Sequence, residues 1–256
     1  MKIVVAIKQV PSRDSQLKVN SSGTWIEDAD LTWEINEPDA YALEAGLQLK
    51  EKLSGEVVVL CAGPESAAQT IREALAKGAD RAIHIETGKE GTADPLVLAR
   101  MMAKALVSER ADLILTGLQS DDLGYGQTGV ILAEAMGLPH ATIIMNVEAE
   151  GSGIKVKREL EDGWFQYVEM PLPALLTIQS GATKLRYATL MGIKKAKTKE
   201  VRIIAASGLT ETGRPSIRIE RVYMPGKTKH SQIFDGPAKE AAAKLVEKLR
   251  FEARVL

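Results

Sequence analysis

The sequence is short of several things at once. Its 256 residues hold a single cysteine, Cys61. That excludes an internal disulfide and a cysteine-based metal cluster, and it fits a reducing, cytoplasmic setting. The histidines, His84, His140 and His230, stand far apart in sequence, so a zinc site is not expected. Aromatic residues make up 4% of the chain, too few for a strong stacking surface on single-stranded nucleic acid. Neither sign of charge dominates. The 33 Lys and Arg against 34 Asp and Glu leave a net charge of −1, which argues against nucleic acid or an acidic membrane as a bulk partner. No apolar run reaches the length of a membrane span, so no membrane insertion is expected. The start of the chain reads as a strand, not a signal peptide. A Ser-His-Asp order, a nucleophile elbow and a motif of paired catalytic carboxylates are also missing, which removes the common hydrolase chemistries.

What is present is alternation. The apolar run Ile3-Val4-Val5-Ala6-Ile7 reads as a strand covered on both faces. Residues 12–35 are polar and irregular, with room for a short hairpin around Ser21-Ser22-Gly23. Asn36 then stands as an N-cap before a helix to about Leu53, with Glu37 and Asp39 in its first turn. Val57–Leu60, Ala82–Ile85, Leu113–Thr116 and Ala141–Val147 are further strands. Helices after Glu65, after Asp94-Pro95 and over Val130–Met136 separate them. His84 is read as a strand residue, Cys61 as packing at a strand end, and Met101 and Met102 as core filler. The expected fold is α/β: a doubly wound, mostly parallel, Rossmann-like sheet. Ligands in such sheets sit beyond the carboxyl ends of the strands. Ala6 to Gln9, Cys61 to Gly63, Gly117 to Thr128 and Asn36 to Asp39 therefore share one edge.

The stretch Gly117–Gly129 is the centre of this layout. A strand leads into it and a helix leaves it, so backbone N–H groups and the positive end of a helix dipole converge there on one spot. Gly124, Gly126 and Gly129 permit close approach of a ligand. Gln119, Ser120, Gln127 and Thr128 can donate to phosphate, ribose or adenine. An ordinary βα loop is the alternative, because the stretch matches neither a P-loop nor the dinucleotide glycine fingerprint.

Beyond Val147 the pattern changes. Ile154–Arg158 and Trp164–Met170 form an expected hairpin, and Ala174–Ile178 another buried strand. Tyr187, Leu190, Met191 and Ile193 then lie among basic residues, with Lys194, Lys195, Lys197 and Lys199 following. An apolar group rimmed by positive charge suits docking of an acidic partner. The local pattern alone favours inward packing instead. Residues 1–205 are expected to form the α/β nucleotide-binding domain. Residues 206–256 are expected to form an arm lying on a partner subunit, ending in an amphipathic helix over Pro237–Leu249, with packing back on the chain's own sheet as the alternative.

The run Val156-Lys157-Arg158-Glu159-Leu160-Glu161-Asp162-Gly163-Trp164-Phe165-Gln166-Tyr167-Val168, ending in Pro173-Ala174-Leu175-Leu176-Thr177, resembles the signature of the electron-transfer flavoprotein β (small) subunit family. Arg186-Tyr187-Ala188-Thr189-Leu190 resembles that family's partner-recognition loop. Ala6–Val10, Asn36–Glu44, Gly78–Arg81 and Gly117–Gly129 fit in the same order. The resemblance implies an electron carrier, not an enzyme by itself, working as one half of a heterodimer. Its α subunit would hold most of the redox FAD. The β subunit would bury a second nucleotide, AMP in ordinary members and a second FAD in electron-bifurcating members that oxidise NADH. Matching positions for that nucleotide are Ala6, Asn36, Glu37, Pro38, Asp39, Ala62, Gly117, Gln119, Ser120, Asp121, Asp122, Leu123, Gly124, Tyr125, Gly126, Gln127 and Thr128. Leu190, with Tyr187, Met191 and Ile193 around it, would dock acyl-CoA-type dehydrogenases, and a quinone-linked oxidoreductase would receive the electrons, as in fatty acid oxidation. Asp122-Leu123-Gly124 replaces the family's usual acidic run, and Pro38 replaces a common aromatic, so AMP and FAD both stay open. A stand-alone adenine-nucleotide-binding regulator is the reading from a different class.

Overall fold

The computed structural model describes residues 1–88, 93–209, 216–226 and 231–256. Its scaffold is one mixed sheet of nine strands, seven of them parallel. The central strand is β1 (Lys2–Ile7). On one side lie β4 (Glu56–Gly63), β5 (Arg81–Glu86) and β11 (Val201–Ala205). On the other lie β6 (Leu113–Gly117), β10 (Ala174–Ile178) and β7 (His140–Glu150). Beyond β7 the sheet turns antiparallel through β8 (Gly153–Glu159) and β9 (Phe165–Pro171), which is the expected hairpin. A bulge at Ile143, whose φ is +61°, marks where β7 exchanges parallel pairing with β10 for antiparallel pairing with β8.

Alternation along β1 divides the core. Ile3, Val5 and Ile7 point to a layer made by α1 (Glu37–Leu53) and α2 (Ala68–Lys77), through Leu43, Leu47, Ile71 and Leu75. Val4 and Ala6 point to the opposite layer, made by α3 (Pro95–Leu106) and α4 (Thr128–Met136), through Met102, Leu106 and Leu132. Both methionines of the Met101-Met102 pair are buried, as core filler should be. With both faces covered, the parallel strands can be apolar throughout, which is why they were readable as continuous runs.

One element had no signal. Residues 12–35 are not wholly irregular: Gln9–Pro11 (β2) and Trp33–Ile35 (β3) pair as a small antiparallel ribbon. Three-residue strands carry too little periodicity to read. The ribbon delivers Asn36 to the end of β1, where its N–H donates to the Lys8 carbonyl at 2.9 Å.

The chain divides into two compact units, Met1–Val222 and Tyr223–Leu256. Within the first, the Asp94 carboxylate caps α3 by accepting from Leu96 N at 2.8 Å. It also accepts from Ser216 N at 2.6 Å. Val222 N donates to the Gly23 carbonyl at 2.8 Å. Residues 216 and 222 are thus tied to the start of α3 and to the loop at Gly23. In the second unit, α6 (Ala238–Glu247) runs on into a π turn over Lys248–Glu252. Its apolar side chains Leu245, Val246 and Phe251 are exposed. His230 lies outside the described residues. No helix among the described residues is long and apolar enough to cross a membrane.

Candidate functional site

The strand order reverses at β1. The chain goes from β1 outward to β4 and β5, then returns to β6 on the other side of β1. The pairing of β1 with β6 covers only Ile3–Val5 against Leu113–Leu115. Past that point no ladder pairing joins the two strands, and their carboxyl ends form the switch point at which open α/β sheets take ligands in a crevice.

The first turn of α1 holds both walls of this crevice. Asp39 is 7% exposed. One of its oxygens accepts from Lys8 N at 2.8 Å, just past β1. The other accepts from Gly117 N at 2.9 Å, the last residue of β6. Asn36 is 1% exposed. Its amide donates to the Gln119 carbonyl at 2.9 Å, and its oxygen accepts from Asp121 N at 2.8 Å. Asn36 occupies the N-cap position without capping by its side chain. Pro38 removes one of the two usual cap donors, and the side chain ties down the loop after β6 instead. Gly117 cannot be replaced cheaply, since a Cβ there would lie 2.3 Å from the Asp39 Oδ1.

Around the mouth the charges are paired. Lys8 Nζ donates to Asp122 at 2.6 Å and to Ser120 Oγ at 3.4 Å. Arg13 bonds Glu37 and reaches Asp121 at 3.4 Å. Burial pushes the Asp39 carboxyl up to about 7, although the amides of Lys8 and Gly117 and the Asn36 side chain pull the other way. Cys61, at the end of β4, is buried, and its thiol is pushed up to about 12, first by burial and then by nearby Asp39. It is an inert packing group.

The loop then turns through Gly124 and Gly126, both left-handed, into α4. Gly129, in the first turn of α4, lets the helix sit against the sheet, because a Cβ would lie 2.6 Å from Thr116 Oγ1. No side chain caps α4, whose N-cap residue is Gln127. Its first-turn amides and dipole therefore face the loop uncapped, which suits a phosphate. Exposed Gln119 and Gln127 and half-buried Ser120 and Thr128 stand beside it. These features fit an adenine nucleotide: a cradle without side chains for the phosphate, and hydroxyl, amide and carboxylate groups for ribose and base.

The profile of the electron transfer flavoprotein domain matches residues 24–209. The electron transfer flavoprotein subunit beta of Methylophilus methylotrophus is 34% identical over 96% of this chain and 97% of its own length. The proteins of that name from Bradyrhizobium diazoefficiens and Sus scrofa are 37% and 34% identical, each covering 100% of this chain and 100% and 99% of their own.

The chain belongs to the electron transfer flavoprotein β subunit family.

Membership of that family implies electron transfer as its line of work. Of the positions expected to line a nucleotide, Asn36 and Asp39 are bonded to Gly117, Gln119 and Asp121, and Ser120 and Asp122 meet Lys8, so these gather at the carboxyl ends of β1 and β6, while residues 123–128 lead on into α4. Ala6 lies one residue past the last β1–β6 pair, its side chain in the α3–α4 layer. Ala62, half-buried, is at the end of β4. Tyr125 is 39% exposed on the loop. Asp39 and Asn36 are spent on the protein's own backbone, so they shape the crevice instead of presenting free side chains to it. Lys8 and Arg13 were not singled out from sequence. Their pairing with Asp122, Asp121 and Glu37 depends on contacts more than twenty residues distant, which no local pattern reveals.

The second expected site is a ledge. Against the local pattern, its apolar residues face out: Tyr187 is 91% exposed and Leu190 88%. Met191 and Ile193 are exposed too. The backbone is nonetheless pinned. Arg186 grips Glu44 through Nε at 2.8 Å and Glu51 through Nη1 at 2.6 Å, tying the ledge to α1. Thr189 caps the short helix α5 (Leu190–Ala196) by accepting from Gly192 N at 3.0 Å. At Gly192 the helix backbone meets the Ala76 carbonyl so closely that a Cβ would lie 2.3 Å away. Lys194, Lys195 and Lys197 surround the ledge with exposed charge. Lys199 does not join them. Its Nζ turns in to bond the Leu75 and Ala79 carbonyls at the end of α2, where burial holds its pKa below the usual lysine range.

Proposed function

We propose that this chain is the β subunit of a heterodimeric electron carrier that takes electrons from acyl-CoA-type dehydrogenases and passes them to a quinone-linked acceptor. On this reading the α subunit holds most of the redox FAD, and that flavin supplies the electron chemistry. The chain's own residues bind and orient. The crevice between β1 and β6 buries AMP, with phosphate on the uncapped first turn of α4 and adenosine against the walls held by Asn36. The ledge at Tyr187, Leu190, Met191 and Ile193 docks the dehydrogenase. It needs no catalytic residue, since each step is the passage of electrons between bound groups.

The observation that carries the proposal is the pairing of a pinned, side-chain-free phosphate cradle with an exposed apolar ledge on one chain of this family. A buried aliphatic anchor ringed by polar groups is how a small contact dominates a transient interface. Three lysines around it would steer an acidic partner. Of the expected arm of residues 206–256, the unit Tyr223–Leu256, and above all the exposed apolar stripe of α6, is proposed to grip the α subunit. The experiment is reconstitution: the purified heterodimer, mixed with an acyl-CoA dehydrogenase and its substrate, should lose its oxidised-flavin absorbance. A heterodimer whose flavin stays oxidised under those conditions removes the dehydrogenase assignment.

A further inference from the structure

One carboxylate bridges the ends of β1 and β6. Where β1 and β6 stop pairing, no ladder bond joins their ends, each of which is held only by its outer neighbour, β4 or β10. Asp39 sits in that gap and accepts one amide from each side, Lys8 N at 2.8 Å and Gly117 N at 2.9 Å. It replaces the inter-strand hydrogen bonds that the splay removes. Gly117 is also the first residue of the stretch leading to the α4 cradle, so the clamp sets where the loop begins. The fit leaves no slack, since the site of a Gly117 Cβ is filled by Asp39 and Pro38.

We propose that Asp39 is the positioning residue of the nucleotide crevice: its two oxygens lock the ends of β1 and β6 at the spacing that lets the loop from 117 to 128 close on an adenylate. This rests on the adenylate reading of the crevice and goes beyond it, because Asp39 acts without touching the ligand. Only an ionised carboxylate offers both oxygens as strong acceptors. An asparagine keeps the shape but turns one acceptor into a donor, leaving a buried N–H facing an N–H. The clamp also gives the site a proton dependence. Burial holds Asp39 near neutrality, so the clamp is complete above about pH 7 and weakens below it, as one oxygen takes a proton. The charged and titratable groups around it are Lys8 from the end of β1, Cys61 from β4, Glu37 on its own helix, and Asp121 and Asp122 on the loop after β6. The Cys61 thiol, pushed up to about 12, stays neutral over this range. The others are common to wild type and variant and cancel in a comparison.

The test uses the heterodimer stripped of nucleotide, with adenosine as probe beside AMP, because adenosine carries no titrating phosphate. Wild type should bind adenosine more weakly at about pH 6 than at about pH 8. Asp39→Asn should bind both probes about tenfold more weakly at the higher pH and lose the pH dependence, while still assembling with the α subunit. A variant that binds as tightly as wild type, or that keeps the same pH profile, overturns the inference. If Asp39→Asn yields no soluble complex, the wild-type profile alone carries the test, and adenosine affinity flat across that range overturns it. Wild type that binds neither AMP nor adenosine at any pH removes the adenylate reading, and the inference with it.

Discussion

Arg186 is the place to perturb if the ledge is built as described. Its guanidinium reaches Glu44 through Nε at 2.8 Å and Nη2 at 3.0 Å, and Glu51 through Nη1 at 2.6 Å. The two carboxylates are not equivalent. The Glu51 side chain is 58% exposed, and its pair with Arg186 is worth at most about 1 kcal/mol. The Glu44 side chain is 5% exposed. Burial pushes its carboxyl up, but the hydrogen bonds from Arg186 and Gln48 outweigh that and hold it below the usual range. Removing the partner of a fully buried charge costs about 3–5 kcal/mol. The Arg186 side chain is itself 29% exposed, so part of this is already screened, and Arg186→Ala should cost about 2–3 kcal/mol near neutral pH. The sign with pH follows from the depressed Glu44. Its contribution is present above the unfolded carboxyl pKa of about 4.3 and is lost as pH falls through the lower folded value. The gap between wild type and Arg186→Ala should therefore be full at neutral pH and close in acid. Urea titrations at both conditions measure it. A gap below about 0.5 kcal/mol at neutral pH, or one undiminished in acid, refutes the reasoning. Arg186→Lys should recover part of the loss, since an ammonium cannot reproduce the bidentate grip.

The remaining predictions concern docking and assembly. Leu190→Ala should slow electron exchange with the dehydrogenase by about tenfold or more while leaving bound flavin and nucleotide unchanged, as stopped-flow reduction would show; unchanged kinetics remove the docking role. Truncation after Val222 removes the unit Tyr223–Leu256. The shortened chain should keep the circular dichroism of an α/β sheet but fail to co-purify with the α subunit, and a normally assembled complex would show that α6 is no clamp.

The residues that could be read ahead of the structure were those whose role repeats locally. Ile3–Ile7 and Leu113–Leu115 announced themselves as covered strands because burial on both faces leaves no polar position. Asp94-Pro95 announced a helix start because cap and first-turn proline are adjacent. What stayed hidden was settled across long separations. Asn36 looked like a cap, and its side chain instead crosses to Gln119 and Asp121. Leu190 and Met191 looked readier to pack inward than to face out. Their exposure follows from Arg186 and Thr189 fixing the backbone so that α5 rests on α2 through Gly192 and Ala196, not through its larger side chains. Lys199 carried the same charge as its neighbours, and only the carbonyl end of α2 distinguishes it.

In the proposed function, the crevice between β1 and β6 holds an adenylate beside the flavin of a heterodimer. Acid release and quantification of the nucleotides in the co-expressed, purified complex tests that most directly. One FAD and one AMP per heterodimer is the predicted result. Two FAD and no AMP would contradict the AMP assignment and give the stretch from Gly117 to Thr128 to a second flavin, and a soluble chain that carries no nucleotide and ignores the α subunit would contradict the account as a whole.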